Sequence, residues 1–157
     1  MRIECVIDSA SIISLCKCGL ENHLRLTGWK FVSVKGVFVE VVEDGLAKGE
    51  LDSLVAKRLF DSGTISLVGQ SGKGLSVDDG LVQMAKTRNA VLFTNDVKLS
   101  RKGNAEGLAV LGSAGLCLLL LKARKIPVAG FVKGIGLLVE RKRLSQGNAE
   151  KYLQEVA

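Results

Sequence analysis

The chain has 157 residues, a length that suits one domain with a substantial hydrophobic core and argues against a second domain. Its formal net charge of +6 favours a polyanionic partner such as RNA or DNA, although a moderately basic surface also serves solubility alone. Aromatic residues make up only 4% of the sequence, which leaves few platforms on which bases could stack. The single histidine, His23, excludes sites that need several histidine ligands.

The cysteines and the apolar segments bear on the compartment in which the protein works. The four cysteines form neither a Cys-x-x-Cys pair nor a disulfide-like spacing, so we expect small buried residues in a reducing cytosol. The first apolar run contains Glu4 and Asp8, which is not the pattern of a signal peptide. The longest uncharged stretch, residues 107–121, is too short and too rich in glycine to span a bilayer. These features predict a soluble, cytoplasmic protein.

Short apolar segments alternate with helical patterns along the chain. Because strands separated by helices form parallel sheets with right-handed crossovers, we expect an α/β fold with one parallel five-stranded sheet. Residues 1–125 are predicted to form this α/β domain, and residues 126–157 a helical extension packed on it, with the only proline, Pro127, marking the boundary. A helix over residues 50–61 should turn Leu51, Leu54, Val55 and Leu59 inward. The predicted strands are residues 3–7, 31–34, 65–68, 90–93 and 109–111.

The stretch of residues 75–96 predicts a helix followed by a strand that ends on an acid. Ser76 and Asp79 have the spacing of a capping box, so the helix should begin near Val77 and end at Arg88, before a break at Asn89. Helical periodicity places the neighbouring Asp78 on the apolar face. A carboxylate on the buried side of a helix is costly unless something pairs with it, and a cation is one such partner.

Acidic and polar residues also follow two of the predicted strands. Asp8 comes after the first strand, and Thr94, Asn95 and Asp96 come after the fourth, where α/β sheets open their ligand crevice. Four converging carboxylates, with Glu40 from a helix as the fourth, would repel one another unless they bound a hard cation such as Mg²⁺ or Mn²⁺.

Each acid also has an ordinary structural explanation. Asp8 and Asp96 could cap helices, and Glu40 could be a solvated helix residue. Asp78 could be a first-turn acid that the helix dipole favours. These alternatives stay open at this point.

In these segments the chain resembles the PIN-domain ribonucleases, especially the small prokaryotic toxin-like members of the VapC type. The resemblance implies a sheet order of 3-2-1-4-5, in which the strands that lead into Asp8 and Asp96 are neighbours. It also implies a catalytic set of Asp8, Glu40, Asp78 and Asp96, of which the three aspartates bind the metal. Ser9, Thr94 and Asn95 would support them. The matching segments are Val6-Ile7-Asp8-Ser9, Val37-Phe38-Val39-Glu40-Val41, Asp78 with Ala85, Leu92-Phe93-Thr94-Asn95-Asp96 and residues 107–112.

The function implied by this resemblance is Mg²⁺- or Mn²⁺-dependent hydrolysis of RNA, with Lys73, Lys98, Arg101 and Lys102 along the backbone path. As a toxin-like protein, the chain would have a small antitoxin as a second partner. The alternative is a PIN-like module that holds RNA or a protein without cutting. The leucine-rich residues 114–125 and the closing helices also predict a homodimer.

Overall fold

The structure, a computed structural model, describes residues 2–69 and 74–157. Within these ranges five parallel strands form one sheet in the order β3-β2-β1-β4-β5. The predicted parallel α/β sheet of order 3-2-1-4-5 is therefore confirmed. The strands are β1 (Glu4–Ile7), β2 (Lys30–Ser33), β3 (Ile65–Leu67), β4 (Val91–Phe93) and β5 (Val110–Leu111).

The central strand β1 lies between β2 and β4, and its register sets which residues meet at the edge of the sheet. Cys5 is opposite Phe31 of β2, and Ile7 is opposite Phe93 of β4. Both faces of β1 are covered from Cys5 to Ile7, as expected of a strand inside a parallel sheet. Because β1 and β4 run in parallel, the residues that follow Ile7 and Phe93 emerge side by side.

Helices connect the strands, and one of the connections contains a π-helical segment. The chain stays helical between α3 and α4 through the π-helical residues Val39–Asp44, and a 3₁₀ turn, Gln154–Val156, follows α10. The helices in the described ranges are α1 (Ser9–Lys17), α2 (His23–Leu26), α3 (Lys35–Phe38), α4 (Gly45–Ala47), α5 (Asp52–Asp61), α6 (Val77–Arg88), α7 (Val97–Ala105), α8 (Ser113–Lys122), α9 (Val128–Glu140) and α10 (Gln146–Leu153).

Helix α6 begins and ends where the sequence predicts. Ser76 Oγ accepts the backbone N–H of Asp79 at 3.1 Å, which caps the first turn. Asn89 adopts the left-handed region at φ 51 and ends the helix, a conformation that asparagine tolerates better than most residues. The inward face is buried at Leu81 and Ala85. The local signals in this segment therefore agree with the tertiary structure.

Helix α5 buries Leu59, as predicted, but only part of the predicted inward face. Leu51 precedes the helix and is 78% exposed, and Leu54 is 46% exposed, so the prediction that they turn inward is wrong. Ser53 and Ala56 are buried instead. The reason is close packing: a Cβ on Gly45 of α4 would lie 1.8 Å from Ser53 Oγ, so only small residues fit between these segments.

The C-terminal helices share the core of the sheet domain. Phe131, Ile135 and Leu138 of α9 belong to the same buried cluster as the strands, and α10 packs against α8 and α9. The division at residue 125 stays a prediction. The homodimer also stays a prediction, because the leucines of α8 pack against this chain's own core. In the described residues, no helix combines the length and the apolarity needed to cross a membrane.

Candidate functional site

All four predicted acids line one pocket of about 200 Å³ at the carboxyl ends of β1 and β4. They come from four separate segments: the residue after β1, the π-helical segment, the first turn of α6 and the residue before α7. Apolar contacts from Val77 and Leu81 complete the wall, and no lysine or arginine of the described residues lines it. The pocket is therefore a local concentration of negative charge. Its acids are Asp8, Glu40, Asp78 and Asp96.

Asp8 is the buried acid of the pocket, with 5% of its surface exposed. One carboxylate oxygen accepts the backbone N–H of Ser11 at 2.9 Å and so caps α1, and the other accepts the hydroxyl of Thr94 at 2.5 Å. Burial raises the pKa of Asp8, the hydrogen bonds from Ser11 and Thr94 oppose that rise, and the charge of Asp78 adds to it. Asp8 is thus both a helix cap and a buried pocket carboxylate with a raised pKa, and perturbed pKa values are common at functional sites.

Thr94 connects the two acids that follow neighbouring strands. Its side chain is almost fully buried. The Thr94 hydroxyl donates to Asp8 and accepts the backbone N–H of Asp96 at 3.0 Å. Asp96 in turn caps α7, because its carboxylate accepts the N–H of Leu99 at 2.8 Å, while the residue remains exposed to the pocket. The predicted supporting role of Thr94 therefore has a geometric basis.

Asn95 supports the edge of the sheet from the other side. Its side-chain oxygen accepts the N–H of Ser113 at 2.8 Å, and its amide nitrogen donates to Ser113 Oγ at 2.7 Å. Its backbone N–H donates to Ser11 Oγ at 3.0 Å. Among the hydrogen bonds of the described residues, its side chain makes none to the four acids. Asn95 therefore ties β4 to the start of α8 and α1 rather than contacting the carboxylates.

Glu40 reaches the pocket from the π-helical segment. Its carboxylate accepts the hydroxyl of Ser9 at 2.8 Å, so these two residues are in direct contact. A π-helical segment has a longer hydrogen-bonded turn than an α-helix, and such segments are frequent at functional sites. Glu40 is exposed and also lines the pocket. It is therefore a solvated helix residue and a member of the acidic cluster at the same time.

The adjacent aspartates of α6 have different partners. Asp78 lines the acidic pocket, but the prediction that it lies on the buried face is wrong, because the first turn of α6 is exposed from Val77 to Asp79. Asp79 accepts the ammonium of Lys102 at 3.2 Å, and this contact together with Ser76 holds the pKa of Asp79 below its usual range. The cap uses the backbone N–H of Asp79, so its carboxylate is free for Lys102.

The predicted basic residues differ in whether they form an ion pair. Lys102 is engaged by Asp79, whereas Lys98 and Arg101 are exposed and take part in no ion pair within residues 2–69 and 74–157. Lys73 lies outside the described residues. Arg143, which was not predicted, lines the same groove as Arg101. The run of three basic residues at 141–143 was the available signal.

The acidic pocket fits a hydrated hard cation better than a dehydrated one. In the part of the chain that the structure describes, no three His, Cys, Asp or Glu side chains stand close enough to hold a metal ion directly. Mg²⁺ commonly keeps several waters and binds through one or two carboxylates. A pocket of about 200 Å³ has room for such waters, each of which occupies about 30 Å³ in the liquid. All its charged ligands are oxygen donors, as Mg²⁺ and Mn²⁺ prefer.

The cysteines take no part in the pocket. All four are buried and free, as predicted for small core residues. Burial raises the pKa of the Cys16 and Cys117 thiols to about 12, so neither is a thiolate near neutral pH. The chemistry of this pocket is therefore that of carboxylates.

No protein-family model matches the sequence, and no curated protein matches it. Among solved structures, the fold is similar to a domain of a functionally unknown protein from Methanocaldococcus jannaschii DSM 2661, with a TM-score of 0.54 and 16% identity. The similarity covers 70% of this chain and 90% of that chain. At this identity the similarity concerns the fold alone.

Proposed function

We propose that this chain is a Mg²⁺- or Mn²⁺-dependent endoribonuclease. The observation that carries the proposal is the convergence of four acids, from four separate segments, on one pocket at the carboxyl edge of the sheet. The basic surplus of the chain and its resemblance to PIN-domain ribonucleases favour RNA as the substrate.

The chain's own residues hold the carboxylates where a cation and a phosphate would meet. Thr94 and Ser11 keep Asp8 oriented, and Ser9 orients Glu40 toward the same pocket. A bound divalent cation would supply charge neutralisation for the phosphodiester and a more acidic water. Glu40, which is exposed and accepts one hydroxyl hydrogen bond, would accept a proton from that water.

The direct test is cleavage of single-stranded and hairpin RNA with Mg²⁺, Mn²⁺ or EDTA. We expect cleavage only with metal, and Asp8→Asn should lower it by at least about a hundredfold, the scale of removing one preorganised electrostatic group. Asp79→Asn is the control, because it makes the same carboxylate-to-amide change at an aspartate that lies outside the pocket and pairs with Lys102. Absence of cleavage by the wild type with either metal would refute the enzymatic proposal.

A binding module that does not cut is the second candidate. The observation in its favour is that no three metal-binding side chains of the described residues are arranged for direct coordination. RNA binding without cleavage, unchanged by Mn²⁺, would favour this candidate over the ribonuclease.

The toxin-like resemblance extends the proposal to partners and location. We propose a small antitoxin that covers the acidic pocket, and a cytoplasmic location in keeping with four free cysteines. Co-expression with the neighbouring reading frame, followed by copurification, tests the antitoxin. If bacterial cells that express this chain alone grow at the normal rate, the toxin role is contradicted.

A further inference from the structure

A second cavity, of about 460 Å³, adjoins the acidic pocket and shares Asp96 with it. This groove runs from the end of β4 to the C-terminal helices. Arg101 of α7 lines it, and so does Arg143 from the connection between α9 and α10. Its size lies in the range of pockets that hold small ligands or parts of larger ones.

The two cavities differ in charge. The acidic pocket has four carboxylates and no basic wall residue among those described, whereas the groove has two guanidiniums and one carboxylate, Asp96. That carboxylate already accepts the N–H of Leu99. A polyanionic strand is therefore repelled by the pocket and attracted by the groove beside it.

Both arginines of the groove are available to a ligand. Arg101 and Arg143 are exposed, and neither forms an ion pair within the described ranges. A guanidinium binds a phosphate through two parallel hydrogen bonds, and a free one at a groove is suited to that role.

The groove also offers contacts to a nucleoside. Ser145 and Asn148 at the start of α10 supply polar groups, and Tyr152 supplies a half-buried aromatic ring. Stacking on one aromatic ring is a common way to hold an unpaired base. Helix α10 thus brings both polar and aromatic groups to the groove.

We infer that this groove binds the single-stranded RNA segment next to the phosphate that lies at the acidic pocket, with Arg101 and Arg143 holding its backbone. The inference rests on the proposed function for the choice of RNA. The C-terminal helices would thereby take part in substrate binding.

The experiment measures binding without cleavage. Fluorescein-labelled single-stranded RNA is titrated by anisotropy against the full chain carrying Asp8→Asn, in EDTA, at several KCl concentrations. Arg101→Ala and Arg143→Ala are each added to this background. Arg58→Ala is the matched control, because Arg58 is exposed on α5 and lines neither cavity. Circular dichroism and thermal melting confirm that each variant is folded.

We expect the Kd to rise about fivefold or more for each groove variant, and to change less than about twofold for Arg58→Ala, because only the groove arginines would contact phosphates. The slope of log K against log salt should fall by about 0.7 for each lost contact to a single strand. Arg143→Lys should keep most of the salt slope, because it keeps the charge.

The outcomes separate this inference from the nuclease proposal. Selective loss of binding in the groove variants supports the groove whether or not the wild type cleaves RNA. Equal losses in the groove variants and Arg58→Ala overturn the groove, even if the wild type cleaves. Undetectable RNA binding at low salt overturns it too. Equal affinity for single-stranded DNA of the same sequence overturns the assignment to RNA.

Discussion

Replacing Thr94 by valine removes one hydroxyl at the centre of the candidate site while keeping the shape of the side chain. The hydroxyl is buried and makes two hydrogen bonds, to the carboxylate of Asp8 and from the N–H of Asp96. A hydrogen bond to a charged group contributes about 1.5 to 3 kcal/mol, and one between neutral groups about 1 kcal/mol. We therefore expect Thr94→Val to lower the free energy of unfolding by about 2 to 4 kcal/mol near neutral pH.

The size of this loss should depend on pH. The Asp8 pKa is raised in the folded protein, mainly by burial, and the Thr94 hydrogen bond opposes the rise. Removing that bond raises the folded pKa of Asp8 further above its unfolded value. Between the two values the folded state binds more protons than the unfolded state, so stability increases as the pH falls. Thr94→Val gains more stability from this effect than the wild type. The difference in the free energy of unfolding between the two proteins should therefore become smaller as the pH falls toward 3.8, the ordinary pKa of an aspartate.

Urea unfolding in EDTA at about pH 7 and about pH 4.5 measures this difference. The cost of Thr94→Val is expected to change with pH only above the unfolded pKa of Asp8, so both measurements are made above that value. Ser33→Ala is the control: its buried hydroxyl donates to the backbone oxygen of Ile7 at 2.8 Å, and no titrating group is involved. Its cost should be the same at both pH values. If the cost of Thr94→Val is equally independent of pH, Thr94 does not stabilise a charged Asp8 and the reasoning fails.

Four further predictions concern α6. Ser76→Ala should cost about 1 kcal/mol in urea unfolding, because it removes the cap of the helix, and no measurable loss would contradict the cap. Leu81 is fully buried, so Leu81→Ala should cost about 2 to 5 kcal/mol in the same assay, and a cost typical of a surface position would contradict the packing. Mn²⁺ should raise the melting temperature of the wild type and of Asp79→Asn but hardly that of Asp78→Asn, because a ligand stabilises only the state that binds it. The metal-free Asp78→Asn protein should be at least as stable as the wild type, since it lacks the repulsion with Asp8. If Mn²⁺ raised the melting temperature of Asp78→Asn but not that of Asp79→Asn, the metal ligand would be Asp79 instead of Asp78.

Local signals in the sequence predicted most of the secondary structure and the α/β class of the fold. The strands were recognisable because buried parallel strands are continuous apolar runs, and α6 was predicted at both ends because Ser76 and Asn89 act on their own turn of chain. The order of the sheet came from the resemblance to a known family, and the structure confirmed it. Asp8 and Asp96 could be placed at one edge because they follow neighbouring parallel strands.

Contacts between distant segments were decided by the tertiary structure. The bond between Thr94 and Asp8 joins residues 86 positions apart, and no periodic pattern encodes it. The buried face of α5 depended on how closely Gly45 approaches Ser53, and no local pattern predicted the π-helical segment that carries Glu40. Helical periodicity describes one element at a time, whereas packing depends on the surface of its neighbours.

The same distinction applies to charge. The composition determined that the chain is basic, and the strand ends determined where its acids gather. Only the tertiary structure brought Arg143, from the C-terminal helices, into the groove that Arg101 lines beside those acids. Net charge is a sum over residues, but the attraction felt by a ligand depends on the distances between particular charges, and the fold sets those distances.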